Sequence, residues 1–207
     1  MKVSVIIPYN KDRGFLKEAR ASIFKQTYTN YEIIEIYSPK RVGANINKGI
    51  SLATGDLIRY LSEDDKLHEN SLKGTVEYFL ANPDIDFIHG NAMAFYNDPG
   101  LGTSIHKPEK KIFTSNELAR KNYIHGGTAV YTSNCFKKFG LFDESLWTGE
   151  EFEFNLRILS QGAKIGYLDK ILYLYRRHSN QKSTGNKDKE YQTKRKEAID
   201  KIRNKYR

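Results

Sequence analysis

Three neighbouring acidic residues, Glu63, Asp64 and Asp65, are the first candidates for chemistry in this sequence, because like charges on one turn repel one another. A divalent cation removes that cost, and hard ions such as Mg²⁺ and Mn²⁺ prefer oxygen ligands that they share with substrate phosphates. The stretch "SEDD", residues 62–65, therefore predicts a metal site. The alternative is a helix cap, in which Asp64 or Asp65 stabilises the amino end of the helix that carries Leu72.

The first half of the chain predicts a parallel sheet that would position these acids. Strands and helices are expected to alternate, in the order strand 3–7, helix 14–26, strand 32–36, helix 46–53 and strand 57–61. Pro8 is expected to end the first strand, whose β-branched run "VSVII" is typical of a buried strand. The acids then lie at the carboxyl end of the third strand, where open α/β sheets bind their ligands.

The second half is predicted to be more mixed. The expected elements are a helix at 72–80, two separate strands in "IDFIHG" and "AMAFY", a strand at 128–131, a helix at 150–161 and a last strand in "ILYLYR". Thr114 and Glu117 have the spacing of a capping box, and Gly140 is expected to close a helix. The tail beyond Lys187 is helical in propensity, but its apolar stripe is thin.

Length and composition favour one globular domain, predicted at residues 1–183, followed by a basic helical tail at 184–207. Much of the net charge of +9 falls after Tyr175 and does not interleave with an aromatic platform, which argues against a nucleic-acid partner. The single cysteine, Cys135, is interpreted as buried filler. Without an apolar stretch of roughly 18 residues, the expected location is the cytoplasm, with peripheral membrane contact through the tail as a further hypothesis.

Six stretches resemble, in order, the landmarks of family 2 glycosyltransferases with the GT-A fold. They are "VSVIIPYN", "SIFKQTYTNYEIIEI", "GANINKGISLATGDLIRYLSEDD", "FKKFGLFDESL", "GEEFEFNLRI" and "YRRHSNQKS". The resemblance runs from Val3 to about Ser183 and implies an α/β, Rossmann-like fold with a mostly parallel central sheet flanked by helices. It also implies inverting transfer of a sugar from a nucleotide-sugar donor, first of all a UDP-sugar, to a glycan, lipid-linked or protein acceptor.

The resemblance further implies Mn²⁺ or Mg²⁺ on the donor diphosphate. The family's acidic motif is Asp-x-Asp-Asp, so Ser62 replaces the acid that contacts the donor ribose and Asp64 matches the metal ligand. Asp65 is expected to support the metal site or cap the helix, and Glu63 to face solvent beside the donor. The donor-side candidates are Pro8, Tyr9, Asn10, Asn47, Ser62, Glu63, Arg176 and Arg177, and the metal candidates are Asp64, Asp65 and His178.

A catalytic base near the start of a later helix is also implied by the resemblance. Glu151 is the candidate and Glu150 the second choice, since a positioned carboxylate that removes the acceptor's proton is worth some 10²- to 10⁴-fold in rate. The alternative is stabilisation of the helix dipole, worth about 0.3 to 1 kcal/mol for each acid. On the acceptor side, His125 is a further candidate, and Trp147 stacks on a sugar or packs in the core.

Some positions depart from the family pattern. The Asp-Asp-Gly turn after the second strand and its following helix look deleted, and Ile46 stands where an Arg is expected. These departures support a catalytically degenerate domain that binds glycans or partners as one alternative function. A basic nucleic-acid-binding module is a second alternative, and a nucleotidyltransferase is disfavoured because no Gly-rich loop bearing Lys or Arg follows "VSVIIP".

Overall fold

The structure, a computed structural model, describes residues 1–97, 99–179, 181 and 188–207. The predicted boundary between the domain and the tail, at Ser183 and Thr184, lies outside these residues. Within the described part of the chain, no helix combines the length and the hydropathy that a membrane span requires.

The first three strands alternate with helices, as predicted. Their bounds are β1 Val3–Tyr9, α1 Leu16–Phe24, β2 Tyr31–Tyr37, α2 Val42–Leu52 and β3 Leu57–Tyr60. β1 lies between β2 and β3 and is parallel to both, so the helices serve as the long crossovers that parallel neighbours need. Pro8 does not end β1, because it pairs with Ile36 and the strand continues to Tyr9.

The remaining strands and helices follow in chain order. They are β4 Lys66–Leu67, α3 Ser71–Ala81, β5 Phe87–Tyr96, β6 Thr103–His106, α4 Ser115–Arg120, β7 Val130–Thr132, α5 Ser133–Phe139, α6 Glu150–Ser160, β8 Ile165–Arg177 and α7 Lys189–Lys205. The predicted capping box of Thr114 and Glu117 begins α4, and Gly140 closes α5. The two strands expected in "IDFIHG" and "AMAFY" are one strand, β5, with register shifts on either side of Asn91.

The strands form one mixed sheet in the order β2-β1-β3-β7-β5-β8-β4, with β6 paired to β5. Parallel pairing, expected for most of the sheet, joins β1 to β2 and β3 and also joins β5 to β8. The other pairs are antiparallel, because β7, β4 and β6 run against their neighbours. The α/β class with helices flanking a central sheet is confirmed.

Apolar side chains form a core on each face of this sheet. One core packs α1 and α3 against β1, and includes Leu16, Ile23 and Leu72. The other packs α4, α5 and α6 against the opposite face and includes Phe154 and Ile202, the latter from α7. Cys135 is fully buried in this second core, as predicted, and burial raises the pKa of its thiol to about 12.

Candidate active site

The loop after β3 brings Asp64 next to His178. Oδ2 of Asp64 lies 3.2 Å from Nε2 of His178, and both side chains are mostly buried. The imidazole of His178 packs against Phe15, with ring centroids 5.1 Å apart. Two of the three predicted metal ligands are therefore neighbours at the carboxyl edge of the sheet.

Asp65, the third predicted ligand, turns inward. Its two carboxylate oxygens accept hydrogen bonds from the backbone N–H of Arg176 at 2.7 Å and from the Tyr173 hydroxyl at 2.8 Å. Burial raises the pKa of Asp65 well above its ordinary value, and the charge of Asp64 raises it further. Asp65 thus joins the acidic loop to β8 through buried hydrogen bonds and so fixes the position of the neighbouring Asp64.

The alternative of a helix cap is wrong for these acids. Helix α3 begins at Ser71 after Asn70, several residues beyond the acidic loop, and the side chain bound to its first turn is Gln26, whose Oε1 accepts from the backbone N–H of Leu72 at 3.0 Å. The short strand β4 lies between the loop and the helix and separates the two. The crowding of the acids is consequently not explained by the dipole of α3.

Glu63 does not face solvent, contrary to the expectation. It is only 5% exposed and forms an ion pair with Arg13. Burial and the charge of Asp64 raise the pKa of Glu63, whereas Arg13 lowers it. Glu63 therefore anchors the loop between β1 and α1 to the acidic loop.

Arg176 does not reach a donor diphosphate. It is 1% exposed, because the alternation along β8 turns its side chain inward between Phe15 and Phe95. Its Nε donates to the backbone oxygen of Asp64 at 2.8 Å, and the guanidinium also binds Glu18 at 3.0 Å. The predicted role is thus replaced by a supporting one, in which Arg176 holds the peptide of Asp64.

Two further donor-side candidates, Arg177 and Asn47, contact other parts of the protein. The guanidinium of Arg177 lies 5.8 Å from the ring centroid of Tyr175. Asn47 is buried, and its side chain donates to the backbone oxygen of Phe142 and accepts from the backbone N–H of the same residue. A donor contact by Asn47 is therefore wrong, since its amide already joins α2 to the segment before α6.

A cleft of about 340 Å³ opens beside Asp64. The predicted residues that line it are Pro8, Tyr9, Asn10, Ser62, Glu63 and Asp64, and Trp147 lies at its wall. Sequence reasoning missed three cations in the same cleft, Arg13, Lys40 and Arg41. Their positions in the sequence could have identified them. Arg13 follows β1, and Lys40 and Arg41 follow β2, so all three lie at the carboxyl edge of parallel strands.

A second cavity, of about 490 Å³, adjoins the cleft and shares Tyr60 and Ser62 with it. Glu150 and Glu151 line this cavity from the first turn of α6, and His125 lines it from the other side. Burial, followed by the effect of His106, lowers the pKa of His125 to about 4.

Gly126 makes room for the carboxylate of Glu151. A Cβ added at Gly126 would lie 2.7 Å from Oε1 of Glu151 and 2.8 Å from the hydroxyl of Tyr60. Because any side chain would occupy that space, the turn at residues 126–128 presses directly on Glu151. The predicted base thus lies in the second cavity, beside Tyr60, one of the residues that both cavities share.

The protein ligands at Asp64 fit a cation that is shared with substrate. No cluster of three or more His, Cys, Asp or Glu side chains within the described ranges forms a closed metal site. Mg²⁺ is usually held by one or two carboxylates together with substrate phosphates, and carboxylate oxygens also suit Mn²⁺. Asp64 matches that pattern, and His178 places an imidazole nitrogen, a common metal ligand in proteins, beside it.

Comparisons with known proteins agree with this architecture. An uncharacterized glycosyltransferase of Rickettsia felis is 24% identical over 212 residues, which cover 87% of this chain and 35% of the relative. Glycosyltransferase GlyG of Streptococcus pneumoniae is 26% identical, with 86% of this chain and 71% of GlyG covered. The chain thus spans about a third of the first relative's length and most of the second's.

Solved structures share the fold. The crystal structure of S. aureus TarS 1-349 in complex with UDP-GlcNAc superposes with a TM-score of 0.70 at 18% identity and covers 87% of this chain and 60% of TarS 1-349. This likeness confirms the predicted GT-A fold. Residues 35–144, just over half of the chain, match the model of the family described as Glycosyl transferase family 2. The chain therefore belongs to glycosyl transferase family 2.

Proposed function

We propose that this chain is the catalytic part of a metal-dependent, inverting glycosyltransferase that moves a sugar from a UDP-sugar to an acceptor hydroxyl. The observation that carries the proposal is the pair of adjoining cavities, one lined by Asp64 and the other by Glu151, which meet at Tyr60 and Ser62. A donor whose diphosphate lies at Asp64 would hold its sugar at this junction, facing the cavity of Glu151. The UDP and UDP-GlcNAc complexes of TarS support a UDP-sugar as the donor.

Glu151 acts as the base in this proposal. It accepts the proton of the acceptor hydroxyl as that oxygen bonds to the anomeric carbon, while the bond from that carbon to the diphosphate breaks on the opposite face. A single displacement of this kind inverts the anomeric configuration. Glu150, the adjacent carboxylate in the same cavity, is the second candidate for the base.

Asp64 and His178 would hold Mn²⁺ or Mg²⁺, which when bound stabilises the negative charge that develops on the departing diphosphate. Lys40 and Arg41 add positive charge on the cleft side of the same site, whereas the charge of Arg13 is paired with Glu63. Lys40 and Arg41 come from the short segment that replaces the expected Asp-Asp-Gly turn. Cationic groups at that position favour a phosphate-bearing ligand.

Calorimetric titration tests the proposal directly. The full chain is titrated with UDP-, GDP-, CMP- and dTDP-sugars, with and without Mn²⁺, and the titrations are repeated on Asp64→Asn. The matched control is Asp84→Asn, which removes the same charge at a highly exposed carboxylate remote from the cleft. Metal-dependent binding of one donor, lost in Asp64→Asn and kept in Asp84→Asn, is expected. Absence of binding to every donor would favour the degenerate, glycan-binding alternative.

We also propose that the acceptor is made at a membrane surface on the cytoplasmic side and is a lipid-linked or surface glycan. The support is the basic character of α7, on which Lys189, Lys201 and Lys205 are exposed. Attraction to anionic lipid is worth about 1 kcal/mol per Lys near the surface. Sedimentation with phosphatidylserine vesicles should therefore fall when these three lysines are replaced by Gln, and equal sedimentation would contradict this proposal.

A further inference from the structure

Helix α7 lies along the second cavity and is fixed there by contacts at several points. Ile202 is buried in the core, and Ile199 packs against Gly149 so closely that an added Cβ would meet its Cδ1 at 2.5 Å. The hydroxyl of Tyr206 donates to Oε1 of Glu153 at 2.7 Å. The helix is thus held against the start of α6, where the proposed base lies.

One face of α7 points toward the substrate cavities. Tyr191, Arg195 and Ile199 are spaced four residues apart and share that face. Tyr191 packs edge-on against Trp147, which lines the donor cleft, with ring centroids 5.6 Å apart. Arg195 and Ile199 themselves line the cavity of Glu151. Arg195 therefore lies where an acceptor would pass.

Arg195 differs from the other charged groups of this cavity. Among the described residues, the remaining charged lining groups are the carboxylates of Asp65, Glu150 and Glu151. His125 is neutral near pH 7, because burial lowers its pKa to about 4. The Nε of Arg195 is buried and has no hydrogen-bond partner within the described part of the chain. This N–H is therefore available to an acceptor group that a ligand in the cavity would supply.

We infer that Arg195 is an acceptor-recognising residue and that the acceptor carries an anionic group, a phosphate or a carboxylate, close to the hydroxyl that receives the sugar. This inference deepens the proposed function and rests on it. A guanidinium presents N–H donors in a fixed planar fork that matches both groups. Helix α7 contains seven Lys or Arg residues against three Asp or Glu, so its field also draws an anionic acceptor toward the cavity.

The test is direct binding of matched neutral and anionic probes to the full chain in the presence of UDP and Mg²⁺. The pairs are glycerol with glycerol 3-phosphate and methyl glucoside with methyl glucuronoside. Ligand-observed NMR titration measures the binding of each probe. The anionic member of at least one pair should bind roughly 10-fold more tightly, as expected for a hydrogen bond to a charged group. The phosphate and carboxylate pairs distinguish the two sources of the charge.

Two variants with the same change in charge locate the effect. Arg195→Gln should abolish the preference for the anionic probe, whereas Lys196→Gln, at the next and solvent-exposed position, should keep it. Arg195→Lys retains the charge and should retain part of the preference. Thermal melts show whether each variant folds.

The outcomes separate this inference from the proposed function, because UDP-sugar binding is measured on the same samples. Intact donor binding without any preference for an anionic probe overturns the role of Arg195 alone. The same holds when Arg195→Gln and Lys196→Gln weaken the binding equally, since the effect would then come from the diffuse charge of α7. If the wild-type chain binds no UDP-sugar, the proposed function itself is overturned.

Discussion

The imidazole Nε2 of His178 lies 3.2 Å from Oδ2 of Asp64, although the two residues are 114 positions apart in the chain. The antiparallel pairing of β4 with β8 accounts for this contact, because it places Lys66 opposite Leu174. Asp64 therefore comes alongside the residues that follow Leu174, and Arg176 holds its backbone oxygen. The pairing of two short segments thus assembles the proposed metal ligands.

Replacing His178 by Ala is expected to weaken Mn²⁺ binding in the presence of UDP by about 10- to 100-fold, since changes even outside the ligand set have effects of that size. Electron paramagnetic resonance of free Mn²⁺ measures the affinity. His68→Ala is the control, because His68 lies on the far side of β4 and lines a different cavity. Equal affinity in the wild type and His178→Ala would exclude His178 from the metal site.

Replacing Gly126 by Ala should lower kcat by up to about 10²-fold with little change in the KM for the donor, since a misplacement of about 1 Å has that effect. The added methyl group would displace Glu151, whose Oε1 lies 2.7 Å from the position of the new Cβ. Gly74→Ala is the control, because a Cβ there would press on the flexible side chain of Lys170 at 3.2 Å and make only an ordinary contact with Leu168 at 3.6 Å. An unchanged kcat in Gly126→Ala would remove Glu151 from the role of base.

Replacing Tyr173 by Phe should lower the free energy of unfolding by about 1 to 3 kcal/mol. The hydroxyl of Tyr173 donates to Asp65 and accepts from the backbone N–H of Ser62, so its loss leaves a buried carboxylate short of a partner. Urea denaturation measures the change. Tyr96→Phe, at the exposed end of β5, should change stability by less than about 0.5 kcal/mol.

His125 should titrate in the folded protein with a pKa of about 4, below its ordinary value, because burial and His106 disfavour the imidazolium. Between pH 6.5 and 4 the unfolded chain then binds more protons at this position than the folded chain, so the free energy of unfolding decreases as the pH falls. NMR of the imidazole Cε1–H gives the midpoint. A midpoint near 6.5 would contradict the assigned burial, and His125→Gln should remove this contribution to the pH dependence.

Gly149→Ala should destabilise the protein by more than Gly162→Ala does. Both glycines have a left-handed backbone conformation, with φ of +77° and +86°, which disfavours alanine by about 1 to 2 kcal/mol. Only at Gly149 would the new Cβ also collide with Ile199 of α7. Thermal unfolding compares the two variants, and equal losses would mean that α7 does not pack firmly on this turn.

The sequence by itself determined the elements whose signals are local. Apolar periodicity identified the alternation of strands and helices up to β3, and it placed the acids of residues 63–65 at a carboxyl strand end. The capping box of Thr114 and Glu117 was readable because its two hydrogen bonds join residues three positions apart. The six stretches that resemble family 2 glycosyltransferases also indicated the family. Each is recognised from its own residues and their order in the chain, without knowledge of the contacts between stretches.

The tertiary structure alone decided which of the candidate side chains face the cleft. Asn47 and Arg176 were expected on the donor side, yet each is buried against partners from distant segments, Phe142 and the backbone of Asp64 respectively. It also placed Arg195 of α7 in the cavity of Glu151. The physical reason is that a local pattern indicates the type of an element, whereas the partner of a polar side chain depends on sheet register and helix docking between residues far apart in the chain.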